Sequence, residues 1–370
     1  MSNTSDTLPG TARTLRIAVV VSGWPRLSES FALNELLALH EAGRLAGIFA
    51  TKQGDSTNQH PAVATLDSCV HHLGDGSAGE QAAEVWGALG GLHVHAVHGY
   101  FAHQPAAVAR AAAALLGVRF GFSVHAKDAR KVAPEELADR ARAAACIVAC
   151  NYDVAQQLRA VGADPILAPH GVDLDSFAPQ HRDSTDGRIE ILAVGRLVAK
   201  KGFDVLIDAM RLLDFDWRLR IVGDGPLLGQ LQDAARVTAN GDRIEFLGAR
   251  SHCQLPSLYH AADMVVVPSV IGGDGDRDGL PNVVLEAMAC GLAIVGSDVA
   301  AIPSAIDHRV TGLLVEPGDV HGLANAVSEL AKDPDLRATL GANGRARAEA
   351  LFSLRVCTDR FLSILETAYG

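Results

Sequence analysis

Short apolar runs and amphipathic stretches alternate along almost the whole chain. Leu15–Val21 is a β-branched run closed by Ser22-Gly23, which predicts a buried strand. From Ser28 to Ala42 the apolar positions move to helical spacing, with Leu33, Leu36, Leu37 and His40 on one face and Ser28 placed as N-cap. Gly47–Thr51 predicts the next strand. Helical patterns over Ala82–Leu89, Pro105–Leu116, Pro134–Ala143 and Tyr152–Val161 then alternate with extended ones over His93–Val97, Arg119–Val124 and Cys146–Cys150. Ala178–Gly187 is polar and turn-rich and predicts a linker. Beyond it the alternation restarts. Ile189–Val194, Arg218–Val222, Ile244–Leu247, Met264–Pro268, Ala293–Ser297 and Gly312–Val315 read as strands. Phe203–Leu213, Leu227–Ala239, Leu255–Ala262 and Asn282–Cys290 read as the helices between them, and helical patterns run from Val320 to about Ala368. Such alternation implies parallel βαβ units, here in two doubly wound α/β domains. Ligands of these sheets bind outside the carboxyl ends of the strands, so the cleft between two facing domains is the expected site.

Composition narrows the function classes. The 370 residues are 48% hydrophobic and 20% charged, which excludes disorder and coiled coil. No apolar run reaches the roughly 18–20 residues of a membrane span, and the polar opening MSNTSDTLPGTART does not read as a secretory signal. A net charge of -11 argues against nucleic acid as a partner. The 6 cysteines include no CxxC pair and read as reduced, mostly buried thiols of a cytoplasmic protein.

Four segments carry candidate chemistry. Gly195-Arg196-Leu197-Val198-Ala199-Lys200-Lys201-Gly202 leaves one strand and enters a helix, so Arg196 offers a planar fork and Lys201 a point charge to a phosphate. It lacks the Walker spacing. Asp274-Gly275-Asp276-Arg277-Asp278-Gly279 begins like a calcium loop, but position 12 is Leu285 and Glu286 is one residue late, so the calcium reading fails. The better reading is a glycine-rich loop feeding a helix that begins near Pro281, whose free N–H groups suit an anion. Asp278 in the loop and Glu286 in the helix would then face one ligand, and two carboxylates near a phosphate site suit sugar hydroxyls. His93, His95, His98 and His103 cluster near a strand; loop histidines beside a polar ligand, with His98 at the strand end, are expected rather than a metal site. His125 follows another strand, in Phe122–Asp128, which raises it above a merely structural histidine.

Together these segments resemble the retaining, nucleotide-sugar-dependent glycosyltransferases of GT-B family 4, the glycosyl transferases group 1. The resemblance runs from about Arg16 to Leu365 and is strongest over Ile191–Pro317, in G-R-L-x-x-K-K-G, V-G-D-G-P, F-L-G and D-G-L-P-N-V-V-L-E-A-M-A-C-G. Pro25-Arg26-Leu27-Ser28-Glu29-Ser30-Phe31 is similar to a segment of its polysaccharide-type members. Phe122–Asp128 resembles its active-site histidine segment, and His170-Gly171-Val172-Asp173 its pre-hinge motif. The chain departs from the pattern at Asp278, where Glu is usual, at His170, where Asn is usual, and at Ser304, which replaces a common Glu.

The resemblance implies a GT-B fold: two Rossmann-like doubly wound domains facing across a cleft. Residues 1–180 would be the acceptor side and 181–351 the nucleotide-sugar side, with 352–370 a helix crossing back. It also implies roles. Arg196 and Lys201 would hold the donor diphosphate, and Glu286 the ribose. Asp278 would face sugar hydroxyls, and backbone N–H groups of Leu280, Pro281, Asn282 and Val283 would meet phosphate or sugar. His125 would contact the sugar from the other domain, and Gly23 would let the first loop approach the donor. The implied function is retaining transfer of a hexose from a nucleotide donor, UDP favoured over GDP. The acceptor would be a hydroxyl of a carbohydrate-like, small-molecule or lipid-linked compound. No cofactor and no metal are expected, and no membrane partner is signalled, because Ser28–Ala42 carries no basic patch. A nucleotide-sugar 2-epimerase and a noncatalytic sugar-binding protein are the competing readings. An oxidoreductase is disfavoured because no GxGxxG follows the first strand.

Overall fold

In the computed structural model, residues 14–26, 29–55, 60–180, 187–238, 240–273 and 275–370 are described. Seven parallel strands form the first sheet: β1 Ile17–Val21, β2 Leu45–Ala50, β3 Val70–His72, β4 Ala96–Tyr100, β5 Arg119–Val124, β6 Cys146–Ala149 and β7 Ile166–Leu167. Their order is β3-β2-β1-β4-β5-β6-β7. The second sheet holds β8 Ile189–Val194, β9 Trp217–Val222, β10 Ile244–Gly248, β11 Met264–Val267, β12 Ala293–Ser297 and β13 Leu313–Val315, in the parallel order β10-β9-β8-β11-β12-β13. The fold is thus two doubly wound α/β sheets with helices on both faces. β1, β4, β11 and β12 are buried along their whole length. That is why β1 and β11 read as continuous apolar runs rather than alternating ones.

Both sheets have a topological switch point. β1 lies between β2 and β4, and β8 between β9 and β11. The loops after β8 and β11 therefore part on either side of a crevice, the place where such sheets hold ligands.

Some expected elements shift. The helix expected over Ser28–Ala42 is Ser30–Glu41; Ser28 lies outside the described residues, and the N-cap position is Glu29, with no side-chain cap bond. The strand expected over His93–Val97 is Ala96–Tyr100, so His93 and His95 precede it and His98 is inside it rather than at its end. Edge strands β3 and β7 and the 3₁₀ turn Pro61–Cys69 were not expected, being too short or too polar to show periodicity. All six cysteines are free thiols; Cys146, Cys150, Cys290 and Cys357 are buried, and Cys253 is exposed.

The last helix, Leu354–Tyr369, returns to the first sheet and buries Phe361, Leu365 and Tyr369 in the core beside β1 and β4. His98 fixes this contact. Its Nδ1 lies 2.7 Å from the Tyr369 hydroxyl and its Nε2 2.8 Å from Ser123 Oγ. His98 is therefore a core residue, not a loop ligand. Burial lowers its pKa to about 3. Above the ordinary value near 6.5 its contribution to stability is complete. As the pH falls from there toward 3, the unfolded chain takes up a proton that the folded chain refuses, and stability drops by about 4 kcal/mol. Urea melts of wild type and His98→Gln at pH 7, 6 and 5 are expected to show this loss in the wild type and a flatter profile in the variant.

Candidate active site

The loop after β8 carries both predicted cations, in different states. Arg196 is exposed at the strand exit, with no side-chain hydrogen bond or ion pair among the described residues. Lys201 is inside, its Nζ 2.7 Å from Asp278 Oδ2. Lys200, to which the sequence motif assigns no role, lies 3.3 Å from Asp278 Oδ1 and 3.5 Å from Asp276. Gly202 makes this turn possible: its φ is +62° and a Cβ there would sit 1.9 Å from the Pro268 carbonyl oxygen. Any other residue would be forced off the loop that follows β11.

That second loop brings Asp278 back over the lysines. Asp278 is only 8% exposed and also accepts a bond of 3.1 Å from Ser269 Oγ. A buried carboxylate needs such partners. Asp274, the start of the calcium-like run, lies outside the described residues. Pro281 is the N-cap of the helix Asn282–Ala289 rather than its first residue. Having no N–H, Pro281 cannot donate to a phosphate or sugar; Asn282 and Val283 hold the free amides of that first turn. The Val283 side chain is packed in the core.

Asp278, Leu280, Pro281 and Asn282 face His125 of the first sheet across a cavity of about 200 Å³, which Phe31 and His170 also line. His125 stands at the end of β5. Its backbone N–H donates to Asp128 Oδ1 at 3.0 Å, its Nδ1 is 3.2 Å from His170 Nε2, and its Nε2 is buried without a partner. Burial, helped by His170 and His98, holds its pKa well below the ordinary value, so the ring is neutral. His170 in turn stacks on Phe31 at 4.1 Å and places Nδ1 3.3 Å from Glu35 Oε1. Burial alone would lower its pKa, but Cys150 and Glu35 outweigh this and raise it to about 9. Glu35 gives no signal in the sequence, being an isolated polar residue within an apolar pattern, and Cys150 reads there only as one of the buried thiols.

Glu286 does not line that cavity. It sits 5% exposed on the helix Asn282–Ala289, accepting from the Tyr259 hydroxyl at 2.6 Å, with His252 Nε2 at 3.7 Å. Asp278 lines that cavity and Glu286 does not, so the two carboxyl groups do not share one pocket wall. His252, raised in pKa by its bond to Glu286, also lines a more apolar cavity of about 450 Å³ with Trp24, Pro25 and Arg26. Gly23 is crowded rather than open: a Cβ there would meet Arg26 Nε at 2.9 Å and the Gln53 carbonyl oxygen at 3.0 Å. Its smallness accommodates the Arg26 side chain.

Comparison with known proteins bears on what this cleft belongs to. Residues 177–347 match the family described as glycosyl transferases group 1. The chain is a glycosyltransferase, and this stretch resembles the glycosyl transferases group 1. WcaL of Escherichia coli K12, a protein named for colanic acid biosynthesis, is 26% identical over 95% of this chain and 100% of its own length. A GDP-mannose-dependent phosphatidylinositol monomannoside mannosyltransferase of Corynebacterium glutamicum is 33% identical over 59% of this chain, which spans 60% of that enzyme. In fold, HepE of Anabaena, solved in complex with UDP, superposes with a TM-score of 0.81 at 17% identity, covering 95% of this chain and 100% of HepE. The architecture is GT-B. Among the described residues no helix is long and apolar enough to cross a membrane.

Proposed function

We propose that this glycosyltransferase moves a hexose, with retention of configuration, from a nucleoside diphosphate sugar to a hydroxyl of a carbohydrate-like acceptor in the cytoplasm. The observation that carries this reading is the cavity where Asp278 and the N-terminal turn of Asn282–Ala289 meet His125. The donor diphosphate would lie along Arg196, Lys201 and that helix end, where negative charge grows as the glycosyl bond breaks. Lys200 shares Asp278 with Lys201 and so holds the carboxylate in place when Lys201 turns to the phosphate. Asp278 and His125 Nε2 would meet the sugar hydroxyls, and Glu286 the ribose. Same-face attack, with the departing phosphate oxygen accepting the acceptor's proton, needs no pair of acid and base carboxylates. We take residues 1–180 as the acceptor side and 181–351 as the donor side, with 352–370 tying the two together.

The nucleotide is the finer question. HepE was solved with UDP, whereas the Corynebacterium relative is named for GDP-mannose. UDP remains the first choice and GDP the second arm of the test. The full-length protein is incubated with UDP-glucose, UDP-galactose or GDP-mannose and a panel of glycoside acceptors, and released UDP or GDP and new glycoside are measured. Release that depends on Asp278, with a glycoside product, supports transfer. Conversion of the donor to an epimer without acceptor would establish the epimerase instead, and no reaction with any pair would sink the reading.

We further propose that turnover is metal-independent, because Arg196, Lys201 and the helix end already supply positive charge to the leaving group. Turnover after dialysis against EDTA is expected to stay within about twofold of the untreated enzyme. A complete loss restored by magnesium or manganese would overturn this; the magnitude of such a charge term is that of an oxyanion site, on the order of 3–4 kcal/mol.

A further inference from the structure

The pocket wall on the first sheet holds a cluster in which only His125 has a part in the proposed sugar binding. β5, β6 and the segment after β7 are neighbours, and their carboxyl ends deliver His125, Cys150 and His170. One ligand-type atom from each lies within 4.8 Å of the others. The separation of His125 Nδ1 and His170 Nε2 is 3.2 Å. Two imidazole nitrogens on one tetrahedral zinc, each about 2.0–2.1 Å from the ion, stand about 3.3 Å apart. The pair already has that spacing.

The surroundings match as well. A metal-bound imidazole is normally steadied by a carboxyl group on its other nitrogen. Here Glu35 Oε1 lies 3.3 Å from His170 Nδ1, and Glu35 is itself fixed by the Tyr100 hydroxyl, which donates to Oε2 at 2.5 Å. Asn151 Nδ2 donates to Cys150 Sγ at 3.2 Å, a contact that suits a thiolate. All three ligand residues line the 200 Å³ cavity, which provides both an entry path and room for water as fourth ligand. Two imidazoles and one thiolate select a borderline-soft ion over magnesium or calcium.

We propose that His125, Cys150 and His170 form a binding site for a zinc-class divalent ion, and that filling it blocks the glycosyl-transfer site. The thiol proton and the Nε2 proton of the charged His170 ring leave to solvent as the metal–sulfur and metal–nitrogen bonds form. The ion takes His125 Nδ1, fixes the ring, and puts its own charge and water where the sugar would lie. The blocking half rests on the role of His125 proposed above; the binding half does not. The site is inhibitory rather than catalytic, so it agrees with turnover that survives EDTA.

The test is a titration of the metal-free, full-length protein with Co²⁺. One equivalent is expected to give tetrahedral d–d bands and a sulfur-to-cobalt charge-transfer band, both displaced by one equivalent of Zn²⁺. Cys150→Ser should abolish the charge-transfer band, while Cys253→Ser, at the exposed thiol, should keep it. Glu35→Gln should weaken zinc binding roughly 10–100-fold. Thermal melts confirm that each variant is folded, and His170→Asn gives a second route to the same loss. Absence of the band in wild type, or its persistence in Cys150→Ser, overturns the site. In the UDP-release assay, stoichiometric Zn²⁺ is expected to inhibit wild type and EDTA to restore it. Binding without inhibition overturns the blocking half alone. A positive cobalt titration with no turnover on any donor faults the transfer reading, not the metal site.

Discussion

Arg196→Ala is expected to lower kcat by roughly 10²–10³-fold, the cost of removing one preorganised donor from a developing oxyanion. Two features of its surroundings make the variant informative. Arg196 is exposed and has no internal ion pair among the described residues, so its loss leaves no buried charge behind and stability should stay within about 0.5 kcal/mol. Its guanidinium would meet charge that appears only as the diphosphate departs, so donor KM should change far less than kcat. Lys201→Ala is the less clean experiment, because it also strips Asp278 of its nearest cation at 2.7 Å. Steady-state kinetics of Arg196→Ala with the true donor, beside a urea melt, decide the matter. An unchanged kcat would remove Arg196 from the transition state.

Glu286→Gln should fail in the opposite way. A ribose does not change during transfer, so losing its carboxylate partner removes binding shared by ground and transition states. A rise in donor KM of about tenfold to a hundredfold is expected, from the roughly 1.5–3 kcal/mol of a hydrogen bond to a charged group, with kcat little altered. The structure sharpens this. Glu286 is buried against Tyr259 and His252, so it is not a solvated helix residue. The Gln amide oxygen can still accept from Tyr259, which preserves the local packing. If kcat fell instead while KM held, Glu286 would be acting on the reaction itself.

The candidate site was partly legible before folding. Arg196, Lys201 and Asp278 stand out because cations and carboxylates beside glycines sit in loops that follow strands, and Glu286 because it is a carboxylate within an apolar helix. Glu35 and Tyr259 were illegible: each is one polar or weakly polar residue inside an apolar periodicity, and its partner is far along the chain. The Tyr259–Glu286 pair is 27 residues apart and the Glu35–His170 pair 135. His98 misled in the other direction. It belongs to a histidine-rich run that looks like a ligand set, yet a closing helix 271 residues away covers it and supplies its partner.

The sequence by itself determined the alternation of strands and helices, and hence two parallel sheets, because strands buried on both faces must be continuous apolar runs. It also determined which loops carry charge. Only the tertiary structure decided which of those charges meet. The switch points at β1 and β8 bring together loops distant in sequence, so Lys200 and Lys201 find Asp278 while Arg196 stays outside. His125 reaches His170 and Cys150 only because three strand ends are neighbours in the first sheet. Periodicity records which face of an element is buried; it holds no information on which element will cover that face.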